Sequence, residues 1–276
     1  MEQLGFEGMP TRLFACTPSK LAAFSDCPRR YRMTYVDRPS PPKGAPWAHN
    51  ALGATVHNVL RVWWTLPLAR RTPQASRSLL RGAWIPDGYR DAEQQAQTRE
   101  RAAGWIESYL DGVDPADEPV GLERVVAVKT STLAVSGRVD RLDDRHGEPV
   151  VVDYKTGRAR LSESDAAGSQ ALALYAVATA RTLRRPCRRV ELHHLSAGAI
   201  YAHEHTDESL ERHVRRAEDT ASDIVTAEHA FAGGADVDKA FPPSTSMRCS
   251  WCDYRRHCPE GQAASPGKES WAGLPG

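Results

Sequence analysis

The chain has 276 residues, 41 % hydrophobic and 26 % charged, with 36 Lys plus Arg against 35 Asp plus Glu. That length can bury a large core without disulfide staples, and the even charge means that a nucleic-acid partner has to meet basic residues gathered locally. No apolar run approaches a membrane span, and Met1 to Ala15 holds no continuous apolar stretch, so neither a membrane anchor nor a secretory signal is expected and a cytoplasmic location follows.

In chain order, Thr17-Pro18-Ser19 is a helix-start signal, followed by Leu21, Phe24, Tyr31 and Tyr35 at roughly helical spacing. Pro39 to Gly44 is a breaker, and Ala51 to Leu66 predicts a helix with Val56, Val59, Leu60 and Trp63 on one side. Arg90 to Leu110 predicts another helix, which makes residues 1–118 mainly helical. The period then changes: Val120 to Val128, Thr132 to Asp140 and Pro149 to Tyr154 read as strands, Ala166 to Thr182 as an alanine-rich helix, and Arg188 to Leu195 as a strand. Residues 119–203 form the expected core, and 204–276 bring a long helix from Asp207 to Phe231 and a cysteine cluster. No Walker loop is present, so the sequence carries no recognisable motor.

The chemistry concentrates in Gly137-Arg138-Val139-Asp140 and Val152-Asp153-Tyr154-Lys155-Thr156-Gly157. Alternation along a strand puts Asp153 and Lys155 on one face. A two-residue loop at His146-Gly147, with Arg145 opposite Glu148, brings Asp140 opposite Asp153, about 5 Å apart at Cβ. Two hard carboxylates suit Mg²⁺ or Mn²⁺, and an ammonium two residues on can orient water and stabilise a phosphorane-like transition state. An exposed Asp–Lys pair on a surface hairpin is the other reading, although three valines before Asp153 speak for burial.

Cys249, Cys252 and Cys258 form a C-x₂-C-x₅-C triplet, and Cys27 lies far upstream. Four thiolates complete an iron–sulfur cluster or a tetrahedral Zn²⁺ site. Cys16 and Cys187 have no such spacing and read as ordinary thiols. Arg29, Arg30, Arg248 and Arg255, interleaved with Tyr31 and Trp251, fit either a single-stranded DNA grip or a solvated arginine face around a metal knot.

The Asp140 and Asp153-x-Lys155 pattern resembles the active-site signature of the PD-(D/E)XK nuclease superfamily, closest to RecB- and AddB-type exonuclease domains and CRISPR-associated iron–sulfur nucleases, from about Pro18 to Cys258. The resemblance implies an α/β, restriction-endonuclease-like core with a mixed central sheet flanked by helices, and an iron–sulfur staple joining the N- and C-terminal segments. It implies a Mg²⁺- or Mn²⁺-dependent DNA exonuclease acting on single strands or ends in repair or recombination, with a helicase partner. The alternative is a non-catalytic DNA-binding subunit of a helicase–nuclease assembly. It further implies that His57, after Gly53, and the Tyr154 backbone carbonyl join Asp140 and Asp153 as metal ligands, and that Glu123 is a further acid. For the cysteines it favours [4Fe–4S] over Zn²⁺. The family's Gln-x-x-x-Tyr helix is matched only by Gln170 and Tyr175, five apart, which lie about 140° apart on a helix. Gln170 is carried over as a catalytic candidate and Tyr175 is expected in the core.

Overall fold

The computed structural model describes residues 13–274, so most of the Met1–Ala15 segment lies outside the described residues. Strand β1 (Phe14–Cys16) leads into α1 (Pro18–Asp26), where the Thr17 hydroxyl accepts from the Lys20 N–H at 3.1 Å and Pro18 occupies the first turn. The helix stops at the extended Cys27, and Pro28 opens the short α2 (Pro28–Tyr31).

Helix α3 (Ala48–Trp64) buries Leu52, Val56, Val59, Leu60 and Trp63 on one stripe and leaves His57, Asn58 and Arg61 on its other side. Each large side chain so buried contributes about 1.5–3 kcal/mol. Helices α4 (Ala75–Ala83) and α5 (Ala92–Asp111) pack with α3 into one cluster that includes Val150, Val152 and Tyr154 of the sheet.

The sheet comprises β1, β2 (Gly121–Lys129), β3 (Leu133–Arg145), β4 (Glu148–Lys155), β5 (Arg189–His194) and β6 (Ala199–Glu204), in the order β1-β3-β4-β5-β6 with β2 also on β3. β1–β3 and β4–β5 are parallel; β2–β3, β3–β4 and β5–β6 are antiparallel. The β4–β5 crossover is made by α6 (Glu163–Gly168) and α7 (Gln170–Leu183), which cover the second face against Val126, Leu142, Val151 and Val190. Helix α8 (Asp207–Ala232) joins α1 and β3 in a third cluster around Tyr31, Ile224 and Phe241.

This is the mixed α/β architecture expected, with four differences. The sequence does not signal β1, α4 or β6: β1 is only three residues long, β6 does not alternate between buried and exposed positions, and α4 is short and interrupted by Ser and Gly. The alanine-rich helix is two helices, because the Ser169 hydroxyl accepts the Leu172 N–H at 3.3 Å and starts a new one. Among the described residues, no helix is long and apolar enough to cross a membrane.

The β3–β4 hairpin pairs Arg145 with Glu148 and continues to Arg141 opposite Val152, the register expected from its His146-Gly147 turn. His146 (φ 55°) and Gly147 (φ 92°) both adopt the left-handed backbone of a tight primed turn.

Candidate active site

One register step beyond Arg141–Val152, the ladder gives way to a side chain: Asp140 Oδ2 accepts the Tyr154 N–H at 2.9 Å. Asp140 is thereby fixed against β4 beside Asp153. From α3, His57 Nε2 lies 3.0 Å from the Tyr154 carbonyl oxygen. A carbonyl only accepts, so Nε2 carries the proton and the neutral ring turns its Nδ1 lone pair to Asp140 Oδ1, 3.3 Å away. Two acceptors at that distance repel unless a proton or a cation lies between them. Burial pulls the His57 pKa down, but the Asp140 hydrogen bond and the charges of Asp140 and Asp153 outweigh it and leave the pKa raised.

Glu123 supplies a third donor. Its carboxylate, His57 and Asp140 place one ligand atom each within 4.8 Å of one another, the one such group among the described residues. It gets there by an unusual backbone. β2 keeps one register with β3 on both sides of it, Leu122 opposite Arg141 and Arg124 opposite Val139, while Glu123 has φ 48°. Leu122 packs against the α3–α5 cluster, whereas Val126, of the same parity, packs against the α6–α7 cluster. The sheet therefore changes face at Glu123 and Asp140 without an inserted residue. A left-handed non-glycine residue costs about 1–2 kcal/mol, the kind of strain that collects at functional sites. Arg138 Nε holds the Glu123 carboxylate at 2.6 Å.

Lys155 Nζ lies 2.5 Å from Asp153 Oδ2, yet off that oxygen's hydrogen-bonding direction, so the buried Oδ2 has no aligned donor. Burial, reinforced by Asp140, raises the Asp153 pKa against the opposing pull of Lys155 and His57. Glu123 and Asp140 border an open groove of about 840 Å³ between α3, β2 and β3, walled by Gly53, Asn58, Arg61 and Arg138.

Tyr175 packs against the α6–α7 core cluster, as expected, and also reaches the groove. Its ring packs on Gly137 and borders the groove, where burial and the charges of Asp153 and Asp140 raise its pKa. Gln170 goes elsewhere: its Nε2 donates to the His213 carbonyl at 2.7 Å and its Oε1 meets His213 Nδ1 at 3.0 Å. Both ends of the amide serve α8, as the helical phase between 170 and 175 requires, so Gln170 stands outside the acid cluster.

Part of the basic grip is corrected. Tyr31 is fully buried, with its hydroxyl donating to Glu228 at 2.7 Å, so it stacks no base. Arg29 is 5 % exposed and pairs with Glu260 and Asp238. Arg30 and Arg248 both pair with Asp26, Arg255 donates to the Gly261 and Gln262 carbonyls, and Trp251 packs on Trp47 at 5.3 Å. These side chains hold the ends of the chain together. The four cysteines Cys27, Cys249, Cys252 and Cys258 line one cavity of about 50 Å³, but no three of their sulfurs converge within 4.8 Å.

A mixed sheet with helices on both faces and an acid–histidine–lysine cluster at the end of its central hairpin defines a nuclease-type site. The PD-(D/E)XK nuclease superfamily model matches residues 15–259, and the chain belongs to that superfamily. Among solved structures it is similar to the SSO0001 protein (16 % identity, TM-score 0.40, covering 90 % of this chain and 87 % of that one). It is also similar to a protein of Eubacterium rectale named "Putative exonuclease" (12 % identity, TM-score 0.49, 93 % and 94 % covered). No curated protein matches the sequence.

Proposed function

We propose that the chain is a Mg²⁺- or Mn²⁺-dependent deoxyribonuclease whose ligands are His57, Asp140 and Asp153, with Glu123 as a further acid. The Tyr154 carbonyl, expected as a ligand, lies on the Nε2 side of the His57 ring, away from Nδ1, and orients the imidazole instead. The observation that carries this reading is the pair of facing acceptors, His57 Nδ1 and Asp140 Oδ1, 3.3 Å apart. The buried Asp153 carboxylate adds a further oxygen donor beside the Lys155 ammonium, and hard oxygen donors with one imidazole suit these cations. A divalent cation held there supplies Lewis acidity, lowering the pKa of water and offsetting charge on the phosphate. The chain's own residues do the rest. Asp140 stays oriented by the Tyr154 N–H and His57 by the Tyr154 carbonyl. Lys155 keeps an ammonium over the Asp153 carboxylate, where it can donate to an attacking water or to a phosphate oxygen.

Exonucleolytic action on single strands or ends, in repair or recombination beside a helicase, rests on the RecB/AddB-like resemblance. Purified protein given Mn²⁺ or Mg²⁺ and labelled DNA should cleave it, and chelation should stop it. A clean preparation without metal-dependent cleavage would leave the non-catalytic DNA-binding subunit as the reading.

We also infer that the four cysteines hold an iron–sulfur cluster. Zinc needs all four sulfurs about 3.8 Å apart for 2.3 Å bonds in a tetrahedron, and no three of these lie within 4.8 Å of one another, whereas a cluster bridges wider spacings. Three sulfurs also accept backbone N–H groups, Cys27 from Ser244, Cys249 from Ser246 and Cys258 from Gly261, at 3.4–3.5 Å.

A further inference from the structure

We propose that the pocket at the carboxyl ends of β4 and β5 is a nucleotide subsite, in which Arg158 and Arg160 hold a phosphate of a single-stranded polynucleotide and Trp105 and Tyr201 stack a base. The inference rests on the nuclease reading and adds to it a path for the strand.

Parallel neighbours whose crossover runs over one face leave a crevice beyond their carboxyl ends, where ligands of open α/β sheets commonly sit. Here the crevice has about 540 Å³, and no Asp or Glu lines it. The acid groove, by contrast, is bordered by Glu123 and Asp140. Arg160 makes no hydrogen bond or ion pair among the described residues, and Arg158 makes one, a 3.3 Å bond from Nη2 to the Ala272 carbonyl. Both are exposed and free to take a phosphate, unlike the arginines around the cysteines. Trp105 from α5 and Tyr201 from β6 are half-buried and offer ring surface to the same space.

At the floor, His194 is 4 % exposed and its Nε2 donates to the Gly157 carbonyl at 2.7 Å, so the ring braces the start of the loop from below. Ser196 Oγ donates to the same carbonyl at 2.9 Å, so the loop carrying Arg158 is pinned at its root. Arg158 follows Lys155 by three residues, at most about 11 Å of extended chain. Thr156, between Lys155 and the pocket's Gly157, has its Oγ1 3.5 Å from a Cβ placed on Gly53, a wall of the acid groove. A strand cut at the acids would therefore run on, within one or two nucleotides, into this pocket.

The test is fluorescence anisotropy with labelled oligothymidylate in Ca²⁺, comparing wild type with Arg158→Gln/Arg160→Gln and with Tyr201→Ser. The double arginine variant should lose about 0.7 from the slope of log affinity against log salt, the share of one phosphate on a single strand. Tyr201→Ser should bind oligothymidylate about 5- to 100-fold more weakly, and an abasic strand of equal length as well as wild type does. Tyr201→Phe keeps the ring and should retain affinity, which separates stacking from damage to the fold. An unchanged salt slope in the arginine variant overturns the phosphate grip. Equal weakening on blunt duplex and single strand overturns the single-strand assignment. Metal-dependent cleavage by wild type is scored separately: cleavage with unaltered variant binding removes the subsite alone, and altered binding without any cleavage removes the nuclease reading alone.

Discussion

Gly137 and Tyr175 touch so closely that a Cβ on the glycine would overlap Cε1 of the tyrosine ring. The absence of a side chain at 137 is what lets the ring lie beside Asp140 and Asp153. Gly137→Ala should therefore displace the ring and destabilise the fold by about 1–3 kcal/mol, the usual cost of overpacking. Cleavage should fall more than stability does. Gly137→Ala/Tyr175→Ala should recover the melting temperature but not the rate; recovery of both would mean the ring only fills space.

Asp153 is a buried acid whose own fold disfavours its charge, through burial first and Asp140 second. A carboxyl with a raised folded pKa contributes stability below its unfolded pKa, about 3.9, and loses it as pH rises through the folded value. Above the folded value the metal-free protein carries that loss in full. Asp153→Asn should raise the melting temperature of metal-free protein at pH 7 and abolish cleavage, with Lys155→Ala inactive by about 10²–10³-fold. Scanning calorimetry in chelator checks the first point, and a lower melting temperature would count against the site.

His57 should make metal loading depend on pH. Its pKa is raised, so its contribution to stability is present below about 6.5 and disappears as pH climbs through the folded value. Cation and proton compete for Nδ1, so Mn²⁺ affinity should increase across that same window. Calorimetric titration at stepped pH should find the increase in wild type and a flat profile in His57→Gln, with cleavage partly rescued by excess Mn²⁺. A wild-type profile as flat as the variant's would remove His57 from the ligand set.

On the other face of the sheet, Glu191 is 1 % exposed and joins Arg145, Arg189 and His193. Burial raises its pKa, but the hydrogen bonds from His193, Arg145 and Arg189 prevail and hold it well below the usual carboxylate range. That stability is present above the unfolded pKa, about 4.3, and fades as pH falls from there. Glu191→Gln should cost about 3 kcal/mol in urea unfolding at pH 7 and reduce the acid sensitivity below pH 4.

For the cysteines, anaerobically purified protein should be brown with about four iron and four sulfide per chain. Cys27→Ser should bleach it, and Cys16→Ser and Cys187→Ser should not. Unfolding need not be complete, because Arg29 still ties α2 to Glu260 and Asp238. A colourless, zinc-loaded and equally active preparation would remove the cluster and leave the nuclease standing.

Much of the site could be read from the sequence because it sits on a hairpin, where turn chemistry sets the register. The His146-Gly147 loop aligned Arg145 with Glu148 and so carried Asp140 to Asp153's neighbour. Strand periodicity likewise located β2 to β5. What stayed hidden depends on tertiary packing. Tyr31 and Arg29 look like a DNA grip in a string of basic and aromatic residues, and only the docking of α8 and α10 (Pro259–Ala264) shows both enclosed. Tyr175 sits on a helix apolar nearly all round, where no single position announces a groove. Glu123 was weighed as a further acid, but its place in the cluster comes from a backbone rotation that no local residue preference signals.

That rotation sets two selective pressures against each other. Glycine at 123 would adopt φ 48° without penalty, and asparagine nearly so, while either would take a carboxylate from the cluster. A library screened for heat resistance alone should drift toward glycine at this position, and the same library screened for DNA cutting should return to glutamate. The conflict between the two screens would measure, in sequence frequencies, how much conformational comfort the enzyme gives up to keep its third acid.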